Sequence, residues 1–537
     1  MKRLVFLAGL VLFFSCMENK SEPKLGRINI QVSCNEAAQK LFQEGLAYLH
    51  SFEYLDARET FLKAQQADPE CGMAYWGEIM AYNHPLFNRE LVSLAQQAFN
   101  RMGSTPGDWS RLFASDMEKD FLKGIQLLFG EGSKEARDKA YRDHCAEMAL
   151  KYPGNHEIKA FYALSLLSSP RTEKTLELYE KAAQINKEIL AENPDHPGAL
   201  HYLIHSYDYP SHAHLAKEAA DNYAVVAPDA EHALHMPSHI YFAMGRWNDV
   251  INSNIESWNA SVKATKLKPR KQLGFHSLAW LHYGLLQRAE FDLADKVIWD
   301  MMTYAQIDQS TLARTYMISM KGIHMVETDT WDGELADYNL KIADLHLTRR
   351  SAFRYLVALR AYRKGQASIV RDMLEKIANE NYMASLDVGN MNVIMCNTAG
   401  NPNIPPNQLD IDLVRIMELQ LKACLAQLEG AEQRRLQYLE EAYKIFDAMN
   451  LISGPPVVFE SAYESYAKAL IDNNSLDRAL EVVNKAIIRA PRKYSLLLLQ
   501  KDLAERLGLN ALLEKVNAEL EISTSPQERK EILSYES

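Results

Sequence analysis

The sequence has few cysteines, no excess of basic residues and, beyond its first residues, no long apolar run. Its 537 residues contain 6 Cys, and the 59 Lys and Arg are outnumbered by 70 Asp and Glu, giving a formal net charge of −11. An acidic chain lacks the basic stripe that binds phosphate backbones, so its charge argues against a nucleic-acid partner. The missing apolar run excludes a later membrane span.

Common catalytic signatures are also missing. His156 and Glu157 begin like the zinc-protease pattern HExxH, but position 160 is Ala instead of the second His. Neither a GxSxG nucleophile elbow nor a phosphate-binding Walker loop occurs. No segment alternates apolar and polar residues with the period of two that predicts a strand. The sequence therefore favours an all-α protein and leaves enzymatic activity uncertain, with binding preferred over catalysis.

The N-terminus has the features of an export signal. "MKRLVFLAGLVLFFSC" has two basic residues, an apolar stretch and a small residue before Cys16. Its end resembles a bacterial lipobox, which implies cleavage after residue 15, acylation of Cys16 and a tether over residues 16–30. A plain signal peptide with an incidental cysteine is the alternative. We expect a lipid-anchored protein of the cell envelope, and Met17, which is not a retention aspartate, weakly favours the outer membrane.

A repeat begins at Ala38 with "AQKLFQEGLAYLHSFEYLDARETFLKAQQADPE". Small residues at Gly45 and Ala57 allow two helices to touch, the aromatic residues Tyr48 and Phe61 fill the space between them, and Pro69 ends the second helix. This pattern resembles the tetratricopeptide (TPR) repeat, a helix–turn–helix unit of about 34 residues. The resemblance implies an all-α superhelical solenoid, whose concave groove commonly holds a protein or peptide.

The same frame recurs along the chain. Pro194 and Pro228 stand one repeat length apart at its last signature position, and Pro491 takes that position near the C-terminus. Phrases such as "HMPSHIYFAMGRW" and "GPPVVFESAYES" resemble large secreted bacterial TPR lipoproteins of unassigned activity. The sequence divides into an N-terminal TPR array, a linker rich in Asn and Pro, a C-terminal helical array and a tail: 31–395, 396–408, 409–520 and 521–537.

Two cysteines are candidates for a disulfide. Cys34 and Cys71 precede successive predicted hairpins, which would bring them close together, and an exported protein meets an oxidising compartment. Loop-closure arithmetic makes such a bridge worth about 3–4 kcal/mol. The remaining cysteines are interpreted as small buried apolar residues: Cys145, Cys396 and Cys424.

Histidines supply the strongest functional signal. His201 and His205 are separated by one helical turn, and His235 and His239 repeat that spacing exactly one repeat length later. Residues at i and i+4 share a helix face, and first helices of neighbouring repeats pack side by side. In TPR arrays the equivalent positions face the concave groove. Further residues at groove positions are Trp76, His84, Asp208, His232 and His276.

Three interpretations of these histidines stay open. The favoured one is a groove, rich in imidazole and aromatic rings, that binds a peptide, a protein or a small polar ligand. The second is a transition-metal site or metalloenzyme in which His201, His205, His235 and His239 converge on one ion, with zinc or copper as candidate cofactors. The third is structural packing inherited by repeat duplication, in a protein that acts as an adaptor of an envelope complex.

Overall fold

A computed structural model describes residues 22–87, 89–168, 176–267, 273–386, 388, 405–449 and 454–534. The signal peptide, the lipidation candidate Cys16 and the first residues of the tether lie outside this part of the chain. So do Cys396 and residues 396–404 of the linker. Within the described residues, no helix is long and apolar enough to cross a membrane.

The first half of the chain is a series of helices with one short β ladder. Strands β1 (Asn83–His84) and β2 (Arg89–Glu90) are antiparallel, with Asn83 opposite Glu90. The helices are α1 (Glu36–His50), α2 (Tyr54–Ala67), α3 (Gly72–Met80), α4 (Val92–Met102), α5 (Pro106–Arg111), α6 (Asp116–Leu128), α7 (Lys134–Lys151), α8 (His156–Ser168), α9 (Leu176–Glu192), α10 (Pro197–Ser206), α11 (Lys217–Val226), α12 (Glu231–His235) and α13 (Pro237–Ala243). Two 3₁₀ helices cover Pro85–Phe87 and Ala213–Ala216.

The second half is helical throughout its described ranges. Its helices are α14 (Trp247–Leu267), α15 (Phe275–Gln287), α16 (Phe291–Ile307), α17 (Thr311–Glu327), α18 (Glu334–Asp337), α19 (Leu347–Arg363), α20 (Ala367–Leu386), α21 (Gln408–Leu428), α22 (Glu432–Ala448), α23 (Ala462–Asp472), α24 (Leu476–Arg489), α25 (Tyr494–Leu507) and α26 (Asn510–Thr524). Most consecutive helices pack against each other, so the fold is the all-α solenoid predicted from the sequence.

One turn closes many of the hairpins. The first helix ends in a residue with φ between 51° and 69°, and the next N–H returns to a carbonyl five residues earlier, as from Glu53 to Tyr48 at 3.0 Å. This is the Schellman helix end, whose left-handed residue is usually Gly. Among the described residues the left-handed position is held by Phe52, Gly245, Ala289, Asp329, Gly365, Gly430, Asn474 and Gly508.

The signature positions of the first repeat pack as their residue types predict. Phe61 is fully buried between helices, and a Cβ added at Gly45 would lie 2.8 Å from its ring. Only glycine therefore lets the two helices approach so closely. Cys34, before α1, and Cys71, before α3, are joined by a disulfide with a Cα–Cα distance of 4.9 Å. The bridge links the starts of two neighbouring repeats.

The C-terminal region packs against the middle of the chain. One hydrophobic core runs from Phe242 to Ala462, across the predicted linker. Helix α26 extends to Thr524, beyond the expected boundary at residue 520. The tail then crosses α14, where Trp258 Nε1 donates to the carbonyl of Leu533 at 2.8 Å. Residues before and after 396–408 therefore share one core, and Ile532 and Leu533 of the tail pack against it.

Candidate metal centre

The predicted histidine pairs lie on neighbouring first helices. His201 and His205 are on α10, and His235 and His239 lie on α12 and α13. Pro237 has no N–H and begins α13, while Met236 keeps helical φ and ψ angles between the two segments. The helix therefore continues far enough to hold His235 and His239 on one face.

The first histidine cluster consists of His201, His205 and His232. Their potential ligand atoms lie within 4.8 Å of one another. The Nε2 atoms of His201 and His205 are 3.1 Å apart, and His201 Nδ1 donates to the backbone carbonyl of His50 at 2.7 Å. Within the described chain, the buried Nε2 of His232 makes no hydrogen bond. Three ring nitrogens thus converge on one small volume.

The second cluster, His235, His239 and His276, has the same arrangement. Its ligand atoms also lie within 4.8 Å of one another, and Nε2 of His235 is 3.1 Å from Nε2 of His239. Asp208, predicted for the groove, accepts a hydrogen bond of 2.7 Å from His239 Nδ1. Asn254 Oδ1 lies 2.7 Å from His235 Nδ1. The two clusters therefore share the same number of histidines and the same Nε2–Nε2 distance.

The protonation of the second cluster follows from its hydrogen bonds. Asn254 uses its amide nitrogen to donate to the carbonyl of Val250, so its oxygen faces His235. His235 and His239 both donate through Nδ1, to Asn254 and to the carboxylate of Asp208, and a neutral imidazole carries only one N–H. Both Nε2 atoms then present lone pairs to each other across 3.1 Å. A cation between them turns this repulsion into attraction.

Burial lowers the pKa of four of the six clustered histidines. It lowers the pKa of His201 and of His276 to about 3, and neighbouring imidazoles add to the effect. Burial and the surrounding histidines hold the pKa values of His232 and His235 well below their usual range. A second proton on His235 would place charge where desolvation opposes it. Neutral imidazole is the form that binds a metal ion.

The two clusters adjoin each other. The ring centroids of His205 and His239 are 6.0 Å apart, as are those of His232 and His235. Phe52 covers the first cluster, with its ring centroid 4.4 Å from that of His201. Trp280 covers the second, 4.5 Å from His239. Six histidines therefore form one region with aromatic walls, in which four are buried and His232 and His276 are partly exposed.

A third group, His50, Glu157 and His196, has metal-like proximity but different chemistry. His196 Nδ1 accepts the N–H of Ala199 at 3.1 Å, so its proton must be on Nε2, which lies 3.3 Å from Glu157 Oε1. A protonated nitrogen has no lone pair for a metal. His50 Nε2 contacts Glu157 Oε2 at 2.7 Å. Burial opposes it, but the two imidazoles lower the pKa of Glu157, so this group is a buried carboxylate that faces two imidazoles.

The structure corrects two sequence-based expectations. The histidines do not face an open groove: His201, His205, His235 and His239 are at most 5% exposed, because loops and helices of other repeats cover them. Nor do these four converge on one point. They divide into two pairs, and each pair is completed by a predicted groove residue, His232 or His276.

Two other predicted groove residues lie elsewhere. Trp76 is 2% exposed and packs edge-on against Phe121 and Phe161, so it belongs to the hydrophobic core. His84 stacks on Tyr54 with ring centroids 3.8 Å apart. It lies in the β ladder outside both clusters, and burial lowers its pKa to about 4. Trp76 therefore lies in the core, and His84 lies partly exposed beside Tyr54.

Sequence reasoning missed the groups that orient the ligands. Asn254 lies on α14, and the carbonyl of His50 comes from the end of α1, far along the chain from its partner His201. An Asn on a helix and a backbone carbonyl carry no sequence signal for this role. Asp208 was singled out only by its repeat position, next to the first histidine pair.

Stacked hairpins with a common turn and small–aromatic packing define this chain as a helical-repeat solenoid. Its hairpins resemble those of tetratricopeptide repeats. Comparisons with models of protein families and with curated proteins found no match.

Three solved structures illustrate the similarity. Yeast Tom70 is 11% identical (92% of this chain and 91% of that chain, TM-score 0.31), and the P58(IPK) TPR domain is 12% identical (91% and 99%, TM-score 0.20). Naa15/Naa10 bound to HypK-THB is 11% identical (90% and 75%, TM-score 0.23). Similarity at this level carries no information on function.

Proposed function

We propose that this protein binds two transition-metal ions, one in each three-histidine cluster. The proposal rests on the 3.1 Å distance between the Nε2 atoms of His235 and His239, whose lone pairs point at each other. Both rings are oriented by Nδ1 donation to fixed acceptors, as metal-binding histidines commonly are. The neighbouring repeat has the same cluster, including the 3.1 Å separation between His201 and His205.

The geometry suits zinc or copper. Two nitrogens that lie about 2.0–2.1 Å from a tetrahedral ion are about 3.3 Å apart, close to the separations found here. Imidazole ligands suit Zn, Cu and Ni, whereas Mg and Ca prefer oxygen ligands. Three protein ligands leave a fourth position open, as in sites where a metal exchanges water for another ligand.

The test is elemental analysis of protein purified without a nickel column, before and after reconstitution with zinc or copper. We expect two equivalents of metal per chain in the wild type and one in His239→Gln. His282→Gln is the matched control, because His282 is fully buried but lies outside both clusters. Less than about 0.1 equivalent after reconstitution would eliminate the proposal.

We also propose that the protein acts in the cell envelope, anchored through acylated Cys16. The Cys34–Cys71 disulfide supports an oxidising compartment, since such bridges are rare in the cytosol. Metabolic labelling with a radioactive fatty acid should mark the wild type and leave Cys16→Ser unlabelled. Equal labelling of both proteins would contradict acylation of Cys16.

A protein or peptide partner in the concave groove is the weaker proposal. Four of the histidines expected to contact it, His201, His205, His235 and His239, are buried, so a recognition surface must use other residues of the solenoid. Crosslinking in intact envelopes followed by pull-down tests this proposal and the related one of an adaptor role. Recovery of the chain without a specific partner would count against both.

A further inference from the structure

The turn between α1 and α2 has an unusual residue at its left-handed position. Phe52 has φ of 56°, where four of the seven equivalent turns in the described part of the chain have glycine and the other three have the smaller residues Ala289, Asp329 and Asn474. A bulky side chain in this conformation is strained, and such strain persists only where the surroundings impose it. The turn itself does not require an aromatic residue, so the ring needs another explanation.

The ring of Phe52 lies against the first histidine cluster. Its centroid is 4.4 Å from that of His201 in an edge-on contact and 5.7 Å from that of His232 in a stacked one. It also lies 6.2 Å from the ring of His205. One side chain therefore contacts all three proposed ligands of a single ion.

The same ring forms part of the wall of a cleft that opens to solvent. The cleft lies between α1, α3, α7 and α8, and Phe52 and Tyr202 are wall residues that also touch His201. The other wall residues are mostly apolar or aromatic and include Leu49, Tyr54, Met80, Tyr141 and Phe161. Phe52 thus separates this cleft from the first cluster. Trp280, which covers the second cluster, is 1% exposed and is not part of the cleft wall.

We infer that Phe52 is a gate between the cleft and the first metal site, through which a small donor ligand, such as water or a monovalent anion, reaches the open position of that ion. The inference rests on the proposed metal binding. It makes ligand exchange at the ion held by His201, His205 and His232 depend on Phe52, whereas the ion beside Trp280 does not contact Phe52.

The experiment measures azide binding to the full chain loaded with Co²⁺, whose visible absorption reports its coordination. In the wild type we expect slow azide binding at one cobalt equivalent. Glycine suits the conformation of this turn, so Phe52→Gly should keep the fold. It should accelerate the slow azide binding by about tenfold or more and leave the azide response of the second cobalt equivalent unchanged. Ala289→Gly is the control, because Ala289 has the same turn conformation, with φ of 55°, but lies outside both clusters.

Two outcomes would overturn the gate. One is two stable cobalt equivalents in Phe52→Gly with azide rates equal to those of the wild type, and the other is equal acceleration in Ala289→Gly. If Phe52→Gly loses cobalt or does not fold, Phe52→Leu is measured instead. An azide-binding rate above that of the wild type supports the gate, and a rate equal to that of the wild type refutes it. A wild type that binds no cobalt would instead contradict the proposed function itself.

Discussion

At the scale of single residues, hydrogen bonds separate the candidate metal ligands from other buried histidines. His235 donates through Nδ1 to an amide oxygen, which leaves Nε2 free to bind a cation, whereas His196 accepts through Nδ1 and must carry its proton on Nε2. Both are buried imidazoles with close polar neighbours. The direction of one hydrogen bond therefore decides which can be a ligand.

Removing an orienting group should weaken the binding of one metal ion and leave the binding of the other unchanged. Asn254→Ala deletes the acceptor of His235, so we expect a loss of affinity of about 10- to 100-fold at one of two sites. Competition with a chromophoric chelator measures this change. Asn186→Ala is the control, because Asn186 is equally buried but lies outside both clusters. Equal affinity in Asn254→Ala and the wild type would contradict the orienting role.

Outside the two clusters, the buried pair His282 and His324 predicts a pH dependence of stability. His282 Nε2 lies 3.0 Å from His324 Nδ1, and His324 Nε2 lies 3.0 Å from Asp295. Burial and His324 hold the pKa of His282 well below 6.5. Below pH 6.5, His282 is therefore protonated in the unfolded chain but stays neutral in the folded chain. The free energy of unfolding consequently falls as the pH falls in that range.

His282→Gln should reduce this slope by at most about 1.4 kcal/mol per pH unit between about pH 6.5 and 5. Urea unfolding at several pH values measures the slope, with exposed His214→Gln as the control. Parallel curves for His282→Gln and the wild type would show that His282 titrates normally in the folded protein.

At the scale of elements, the sequence predicted the hairpins well where small and aromatic residues keep the repeat frame. Gly45 against Phe61 is such a place, since both signals are local in sequence. The burial of His201 could not be predicted in this way, because Phe52 and the carbonyl of His50 cover it from another repeat. Ligand positions followed the repeat frame, but their surroundings depend on long-range packing.

The disulfide at the start of the array should stabilise the first repeats. It closes a separation of 37 residues, and chain-entropy arithmetic gives about 3–4 kcal/mol. We therefore expect Cys34→Ser with Cys71→Ser to lower the free energy of unfolding by about that amount in urea titrations. A reductant should destabilise the wild type similarly and leave the double variant unchanged. A reductant effect on the double variant would assign the change to something other than this bridge.

At the scale of the whole molecule, the tail fastens the C-terminal end to the centre of the solenoid. Arg529 donates to Glu290 and to Asn248, and its side chain is 9% exposed. Trp247 Nε1 donates to the carbonyl of Arg492 at 2.8 Å, which joins the same two regions. These contacts were not predictable, because they pair residues that are far apart in the chain and share no local pattern.

Arg529→Met should lower the free energy of unfolding by about 1.5–3 kcal/mol, the usual contribution of hydrogen bonds to charged groups. Lys530→Met is the control on the adjacent residue. Its ion pair with Glu256 is largely exposed, so we expect a change below about 1 kcal/mol. Thermal and urea unfolding measure both variants. Equal effects would mean that the tail is not held by Arg529.

The most direct test of the central claim is anomalous diffraction at the metal absorption edge from crystals of the reconstituted full chain. The account predicts two peaks, one bounded by His201, His205 and His232 and the other by His235, His239 and His276, each with nitrogens at about 2.0–2.1 Å. A single peak shared by both pairs, or a map without a peak at either cluster, would contradict it.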